Sequence, residues 1–119
     1  VGAPEKVVFH CYSGDTDLAK ICNDNGWYMS FAGNITIKRN QHLRDSLAMA
    51  PKELILIETD APFMLPKNVP NSLLKKYHER RCEPAFLPYV AGTIAQFKGI
   101  TLDKVAEETT RNSKDFFGI

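Results

Sequence analysis

Two short apolar runs in this chain each end abruptly in polar side chains and a turn. Residues 7–9 lead directly into His10, and residues 54–57 lead into Glu58 and Asp60. Continuous aliphatic and β-branched runs of this length are typical of strands in a parallel sheet, which is covered on both faces. Enzymes of the α/β class place their chemistry at the carboxyl ends of such strands. The two runs therefore predict a parallel sheet with a functional site at one end.

Three predicted strands alternate with two amphipathic helices in the first half of the chain. The strands cover about residues 6–11, 27–32 and 53–59. A helix that stops at Gly26 follows the first strand, and a helix closed by Pro51 follows the second. Such alternation is the signature of βαβ units, which imply a parallel sheet or barrel. The apolar faces of the two helices are predicted to consist of Leu18, Ile21, Cys22, Leu43, Leu47 and Ala48.

After Asp60 the sequence becomes a long loop interrupted by prolines, and two further helices complete the chain. Loops this long tend to be functional or disordered, and a short helix is predicted within residues 72–79. The first of the final helices ends at Gly99, and the second begins at Thr101 as its N-cap. Their apolar stripes are predicted to consist of Phe86, Leu87, Val90, Ala91, Ile94 and Ala95, and of Leu102, Val105, Ala106, Thr109, Phe116 and Phe117.

Composition narrows the class of protein. Apolar residues make up 44% of the chain and charged residues 24%, which is typical of a soluble folded protein. The net charge of +1 gives no basic surface for non-specific nucleic-acid binding, so any nucleic acid must be bound by a local site. No apolar run approaches the roughly 20 residues that span a bilayer, so no membrane partner is expected. The odd number of cysteines, at no metal-finger spacing, predicts a reducing cytoplasmic setting and packing roles for the thiols.

The motifs at the two strand ends closely resemble those of the TatD family of metal-dependent deoxyribonucleases. Residues 10–14 read His-Cys-Tyr-Ser-Gly and residues 58–62 read Glu-Thr-Asp-Ala-Pro. The family signatures read His-Cys-Phe-Ser-Gly and Glu-Thr-Asp-Ala-Pro, so Tyr12 replaces a Phe. Residues 80–84 are similar to the family's Arg-Asn-Glu-Pro, with Cys82 where Asn is usual. The resemblance covers nearly the whole chain but only the C-terminal half of the family.

The resemblance implies an α/β fold that is the C-terminal part of a TIM-type (β/α)8 barrel. Such a barrel typically needs about 250 residues, and this chain has 119. Residues 1–119 would form one partial domain, whose three parallel strands with flanking helices are the sixth, seventh and eighth of the barrel. The family's His-x-His pair, its bridging Glu and its middle His would all precede residue 1. The chain is therefore expected to be inactive alone and to self-associate or pair with its missing N-terminal half.

By the same resemblance, His10 would be a metal ligand, and Asp60 would bind metal and act as the catalytic base toward water. Side chains from alternate barrel strands share a layer, which would bring His10 and Asp60 together at one ion. Imidazole and carboxylate ligands suit one or two divalent ions of Mg, Mn or Zn. The alternatives are a structural histidine and an aspartate that only caps a turn.

Four further side chains are candidates for supporting roles. Glu58 is either a partner that holds a site residue in place or a buried carboxylate paired with a base lower in the barrel. Family placement puts Arg80, Arg81 and Glu83 at the mouth of the site as substrate-binding residues. The two arginines either contact substrate phosphates or belong to a solvated charged loop.

The family implies that the complete protein is a deoxyribonuclease that cleaves phosphodiester bonds with metal-activated water. Its partner would be DNA, either single-stranded or at 3′ ends. Because fold and metal do not fix the substrate, the alternatives are a hydrolase of small esters or amides and one acting on D-aminoacyl-tRNA. A further alternative is a non-catalytic half-barrel that must assemble with a partner.

Overall fold

The computed structural model describes residues 6–61, 63–76 and 81–119. Three strands form one parallel sheet in the order β1-β2-β3, with β2 in the centre. The strands are β1 (Val8–Phe9), β2 (Tyr28–Phe31) and β3 (Ile55–Ile57). The helices are α1 (Thr16–Asn25), α2 (Gln41–Met49), α3 (Asn71–Lys76), α4 (Leu87–Lys98) and α5 (Leu102–Phe117). The predicted α/β class, three parallel strands with flanking helices, is confirmed. No helix in the described ranges has the length and apolar content needed to cross a bilayer.

The outer strands are shorter than predicted because the chain turns as soon as each apolar run ends. His10 and Cys11 already form a turn, in which Cys11 has a φ of +47°. At the start of β3, Lys52–Leu54 forms a 3₁₀ turn instead of extending the strand. Ladder hydrogen bonding nevertheless continues one residue beyond β3, since the Glu58 N–H donates to the Phe31 carbonyl over 3.0 Å.

The predicted end of α1 at Gly26 and the predicted N-cap of α5 at Thr101 are confirmed, and Asp15 caps the start of α1. The Asp15 side chain accepts the Leu18 N–H over 3.1 Å at the start of α1, and Gly26 ends that helix with a φ of +68°. Thr101 caps α5 by accepting the Lys104 N–H over 3.1 Å. Side-chain oxygens at these positions satisfy N–H groups that have no partner within the helix.

The predicted helix faces are only partly right. Ile21 and Leu102 are about half exposed, Ala48 and Ala106 are exposed, and Phe117 is 67% exposed. In α2 the guanidinium of Arg44 is buried instead of an apolar side chain. It donates to the carbonyls of Ile35, Ile37 and Lys38, which satisfies its charge-bearing N–H groups. A buried polar group is tolerated when its hydrogen bonds are made, and hydrophobic periodicity cannot detect such a case.

The core lies between the sheet and helices α1, α2, α4 and α5, and a smaller cluster lies under the loop after β3. The main cluster is built around Tyr12, Met29, Phe31, Ile35, Leu43, Leu47, Val90, Ile94 and Val105. The smaller cluster consists of Val69, Cys82 and Phe86, with Leu65, Leu73, Leu74 and Tyr89 packed against it. The loop after Asp60 therefore has its own apolar anchor.

Gly33, two residues after β2, allows the loop that follows β3 to approach the sheet closely. A Cβ atom at Gly33 would collide with the Met64 carbonyl oxygen and lie 2.8 Å from the Pro66 nitrogen. Because both contacts are with backbone, Gly33→Ala forces the loop to move. We expect the free energy of unfolding to fall by about 1–3 kcal/mol, measured by urea denaturation.

Gly92 in α4 supplies the matched control. An added Cβ there meets nothing within 4 Å, and alanine is favoured over glycine inside a helix by about 0.5–1 kcal/mol. Gly92→Ala should therefore stabilise the protein. If Gly33→Ala proved as stable as the wild type, the close approach of the loop to Gly33 would be wrong.

Candidate metal site at the carboxyl end of the sheet

A histidine, a cysteine and a glutamate meet at the carboxyl end of the sheet. One ligand-capable atom from each of His10, Cys11 and Glu58 lies within 4.8 Å of the other two. His10 and Cys11 follow β1, whereas Glu58 follows β3. The chain therefore brings side chains from the two outer strands together across the end of the central strand, where the sequence predicts the site.

Glu58 makes most of the bonds that hold this group together. Its Oε2 accepts the backbone N–H of Cys11 over 2.9 Å, and its Oε1 accepts the Cys11 thiol over 3.0 Å. The hydroxyl of Ser30, in β2, lies close enough to the carboxylate to lower its pKa, and the Glu58 N–H donates to the Phe31 carbonyl of the same strand over 3.0 Å. Glu58 thus connects the ends of all three strands.

These contacts keep the Glu58 carboxylate charged. Burial raises the pKa of Glu58, but the Cys11 thiol, the Ser30 hydroxyl, the Cys11 N–H and nearby His10 lower it below its ordinary value overall. The pKa of the Cys11 thiol is raised to about 12, mainly by burial. The hydrogen bond to Glu58 and its negative charge raise it further, and Asp60 adds to this effect. The Cys11 thiol is therefore protonated at neutral pH and donates to Glu58, a more specific role than the predicted inert packing.

Asp60 lies beside this group and is exposed. It has a φ of +55°, and its carbonyl accepts the Phe63 N–H over 2.8 Å, so the chain turns sharply there. In the described ranges Asp60 is not one of the three side chains within 4.8 Å, but its carboxylate lies close enough to raise the pKa of the Cys11 thiol. Because β3 ends at Ile57, Asp60 lies in the turn that follows the strand and not in the strand itself.

The loop that carries His10 is fixed by hydrogen bonds to neighbouring segments. The Tyr12 N–H donates to the Ser30 carbonyl over 2.8 Å, and the Tyr12 hydroxyl donates to the Asp15 carbonyl over 2.6 Å. The buried Asn34 amide donates to the Tyr12 carbonyl over 3.4 Å. The hydroxyl by which Tyr12 differs from the usual Phe therefore has a partner, and the ring still packs 5.5 Å from the Phe31 ring.

The predicted substrate-binding residues interact with one another. The Arg81 guanidinium donates to Glu83 Oε1 through Nε at 2.9 Å and lies 2.7 Å from it through Nη2. About half of the Arg81 side chain is exposed. Arg80 lies outside the described residues. Between Arg81 and the site, Cys82 is buried and its thiol points to the Thr59 carbonyl at 3.7 Å, so a thiol ties the loop to the segment that precedes Asp60.

The possible metal ligands at this site suit a hard or borderline divalent ion. His10 and Asp60 are both exposed at the carboxyl end of the sheet, with an imidazole nitrogen and carboxylate oxygens to offer. Glu58 adds a charged carboxylate, although both of its oxygens already accept hydrogen bonds from Cys11. Imidazole and carboxylate are the usual ligands of zinc and manganese, and carboxylate with water suits magnesium.

Sequence reasoning missed Cys11, Ser30 and Asn34 as parts of this site. Ser30 had a usable signal, since it is the one small polar residue in an otherwise apolar and aromatic strand. Cys11 had none beyond its place after His10. Asn34 follows a glycine and looks like an ordinary turn residue.

Comparisons with known proteins identify a matching family and several relatives. Residues 1–118 match the family described as TatD related DNase. The chain is 34% identical over 118 residues to "Uncharacterized metal-dependent hydrolase TatD" of Mycobacterium tuberculosis, covering 99% of this chain and 42% of that protein. It is 38% identical over 113 residues to "3'-5' ssDNA/RNA exonuclease TatD" of Escherichia fergusonii, covering 94% of this chain and 42% of that protein. The chain thus spans about two fifths of the length of these relatives.

Solved structures show the same relation at the level of the fold. The structure of YJJV, a TatD homolog from Escherichia coli, matches with a TM-score of 0.81 at 24% identity and covers 98% of this chain and 42% of that one. A hydrolase TatD family protein from Entamoeba histolytica matches with a TM-score of 0.77 at 23% identity, covering 93% of this chain and 42% of that one. The predicted fold class, part of a TIM-type barrel, is confirmed.

Proposed function

Because the chain belongs to the TatD related DNase family, we propose that the complete protein carrying it is a metal-dependent hydrolase that cleaves phosphodiester bonds in nucleic acid. Relatives named as 3′–5′ exonucleases of single-stranded DNA and RNA support this substrate class. In this proposal the end of the substrate binds at the carboxyl end of the sheet. The preferred substrate is DNA, single-stranded or at 3′ ends. In this proposal residues 1–119 are the C-terminal half of the barrel.

The observation that carries the proposal is the group of His10, Cys11 and Glu58 at the carboxyl end of the sheet, with Asp60 beside Cys11. His10 precedes Cys11 in the chain, and the Asp60 carboxylate acts on the Cys11 thiol from the end of β3. Both side chains are exposed and therefore reachable by a substrate, whereas Glu58 is half-buried and engaged with Cys11.

In the proposed mechanism, His10 and Asp60 would hold the divalent ion. When bound, such an ion lowers the pKa of water and neutralises charge that develops on the phosphoryl oxygens. Asp60 accepts the proton of the attacking water, since a carboxylate within hydrogen-bond reach acts as a general base. Arg81 offers N–H groups to a phosphate of the substrate, in addition to those bonded to Glu83.

Two ligands do not complete a catalytic metal centre. Catalytic zinc sites, for example, have three protein ligands and an open position, so the remaining ligands belong to a segment beyond this chain. Within the described residues, the short parallel sheet also leaves two edges open, at β1 and β3. We therefore expect this chain alone to be inactive and to pair with its N-terminal half or with another copy.

The cytoplasmic setting belongs to the same proposal. All three cysteines, Cys11, Cys22 and Cys82, are free. Free thiols suit a reducing compartment, in which disulfides are rare.

The test is an assay of the complete protein with 3′-labelled single-stranded DNA, the same DNA as a duplex, and a nitrophenyl ester. Each substrate is incubated with Mn²⁺, with Mg²⁺ and with a chelator. We expect stepwise shortening of the single strand from its 3′ end, little action on the duplex, and no shortening with the chelator. Ester turnover without DNA shortening would assign the protein to small-ester hydrolysis instead. Failure on every substrate would contradict the hydrolase proposal.

A further inference from the structure

We infer that Glu58 is a positioning residue that sets the spacing between His10 and Asp60 by fixing the turn at Cys11. The inference rests on the proposed function, because it concerns the site that His10 and Asp60 form. Glu58 does not need to touch the substrate for this role. Its two carboxylate oxygens bond the backbone and the side chain of the residue that follows His10.

The turn at Cys11 needs an external restraint. Cys11 has a φ of +47°, in the left-handed region that a residue with a Cβ atom seldom adopts. Such a conformation persists only where its surroundings hold it. The N–H bond to Glu58 at 2.9 Å and the thiol bond at 3.0 Å act directly on this residue, and the Ser13 hydroxyl bonds its carbonyl over 2.8 Å.

Holding Cys11 also fixes the relative positions of the two proposed ligands. His10 is the residue before Cys11, and Asp60 is two residues after Glu58. The Glu58–Cys11 bonds therefore close a short bridge between the two ends of the site, across β2. The Glu58 N–H bond to the Phe31 carbonyl secures the middle of that bridge to the central strand.

A carboxylate is required at residue 58 because both partners on Cys11 are donors. Ionised glutamate has two acceptor oxygens and no donor, which matches an N–H and an S–H presented together. Glutamine has the same size but only one acceptor oxygen, and its NH₂ group would face one of the Cys11 donors. Glu58→Gln therefore loosens the turn with little change in volume.

The experiment measures Mn²⁺ affinity by chelator competition and Tm by circular dichroism, for the complete wild-type protein and its Glu58→Gln variant. We expect Glu58→Gln to weaken Mn²⁺ binding about 10–100-fold, the usual effect of removing a group that orients a metal ligand. The Tm of the metal-free protein should change little. Glu107→Gln, on the exposed face of α5, is the matched control and should leave affinity and Tm unchanged.

A second background distinguishes positioning from general stabilisation. Glycine adopts the left-handed region without strain, so Cys11→Gly makes the turn less dependent on Glu58. In that background Glu58→Gln should weaken Mn²⁺ binding by a smaller factor. Equal factors in the two backgrounds, or wild-type affinity in Glu58→Gln, would overturn the inference.

Two outcomes separate this inference from the proposed function. If the wild-type protein binds no Mn²⁺, the proposed function fails; if wild type and Glu58→Gln bind equally, only the positioning role fails. Where Glu58→Gln does not fold, Cys11→Ala decides, because it removes the thiol bond that Glu58 accepts and leaves the Glu58 charge and the backbone bond in place. Several-fold weaker Mn²⁺ binding in Cys11→Ala would support the role of Glu58, and wild-type affinity would overturn it.

Discussion

Replacing Asp60 by asparagine should lower DNA cleavage by the complete protein by at least about 10³-fold, within the range expected when a general base is lost. The substitution removes the negative charge and the proton acceptor while keeping the size of the side chain. It also preserves the local backbone, because asparagine is one of the few residues that readily adopts the left-handed conformation found at Asp60, where φ is +55°. The turn formed by the Phe63 N–H and the Asp60 carbonyl is therefore retained.

Alanine would be a less informative change at this position. A left-handed residue with a Cβ atom and no polar side chain is strained by about 1–2 kcal/mol, so Asp60→Ala would mix a backbone effect with the loss of chemistry. The measurement is kcat/KM on 3′-labelled single-stranded DNA with Mn²⁺, together with Tm. Asp17→Asn, an exposed residue in the first turn of α1, is the control and should retain wild-type kcat/KM.

A second variant tests whether His10 and Asp60 act together. His10→Ala should lose activity to a similar extent, and the double variant should lose little more than either single one, because residues that act as a unit are not additive. Independent, multiplying losses would indicate separate roles. Retention of wild-type turnover by either single variant would show that its residue is not part of the proposed site.

The sequence predicts where the site residues stand but not what holds them. The apolar runs before His10 and Glu58 place both at strand ends, because a buried strand needs a continuous apolar sequence and a turn needs polar residues. The capping residues Asp15 and Thr101 are equally predictable, since their side chains act within a few residues of their own position. Local sequence patterns therefore predict the helices, the strands and the end of the sheet at which the site lies.

The hydrogen bonds within the site join residues that are far apart in the sequence, so local sequence patterns do not predict them. The thiol of Cys11 meets Glu58 only because β1 and β3 lie on either side of β2. The position of Asp60 is hard to predict for a related reason, since the backbone leaves the strand geometry after Ile57. Arg81 is a similar case, because its pairing with Glu83 depends on how the loop folds back.

Asn112 lies at the opposite end of the sheet, and replacing it should lower the free energy of unfolding more than Gly33→Ala does. Asn112 lies on α5 and is only 1% exposed. Its Nδ2 donates to the carbonyls of Lys52 at 2.6 Å and Ile55 at 2.8 Å, which ties α5 to the first residue of β3. Asn112→Leu keeps a similar volume but leaves both carbonyls without this donor. Loss of the donor to the buried Ile55 carbonyl costs about 1–3 kcal/mol and loss of the donor to the part-buried Lys52 carbonyl costs less, so we expect a total loss of about 2–4 kcal/mol.

Urea denaturation of the complete protein measures this loss, and two further variants test its cause. Asn112→Asp places oxygens against the two carbonyls and buries a carboxyl group, so it should destabilise at least as much as Asn112→Leu. Thr110→Leu, at an exposed position on the same helix, should change the free energy of unfolding by no more than about 0.5 kcal/mol. Because Asn112 bonds the start of β3 and the proposed site lies beyond its other end, kcat of the folded Asn112→Leu protein should stay near that of the wild type. An Asn112→Leu protein as stable as the Thr110→Leu control would show that the two hydrogen bonds do not hold α5 to the sheet.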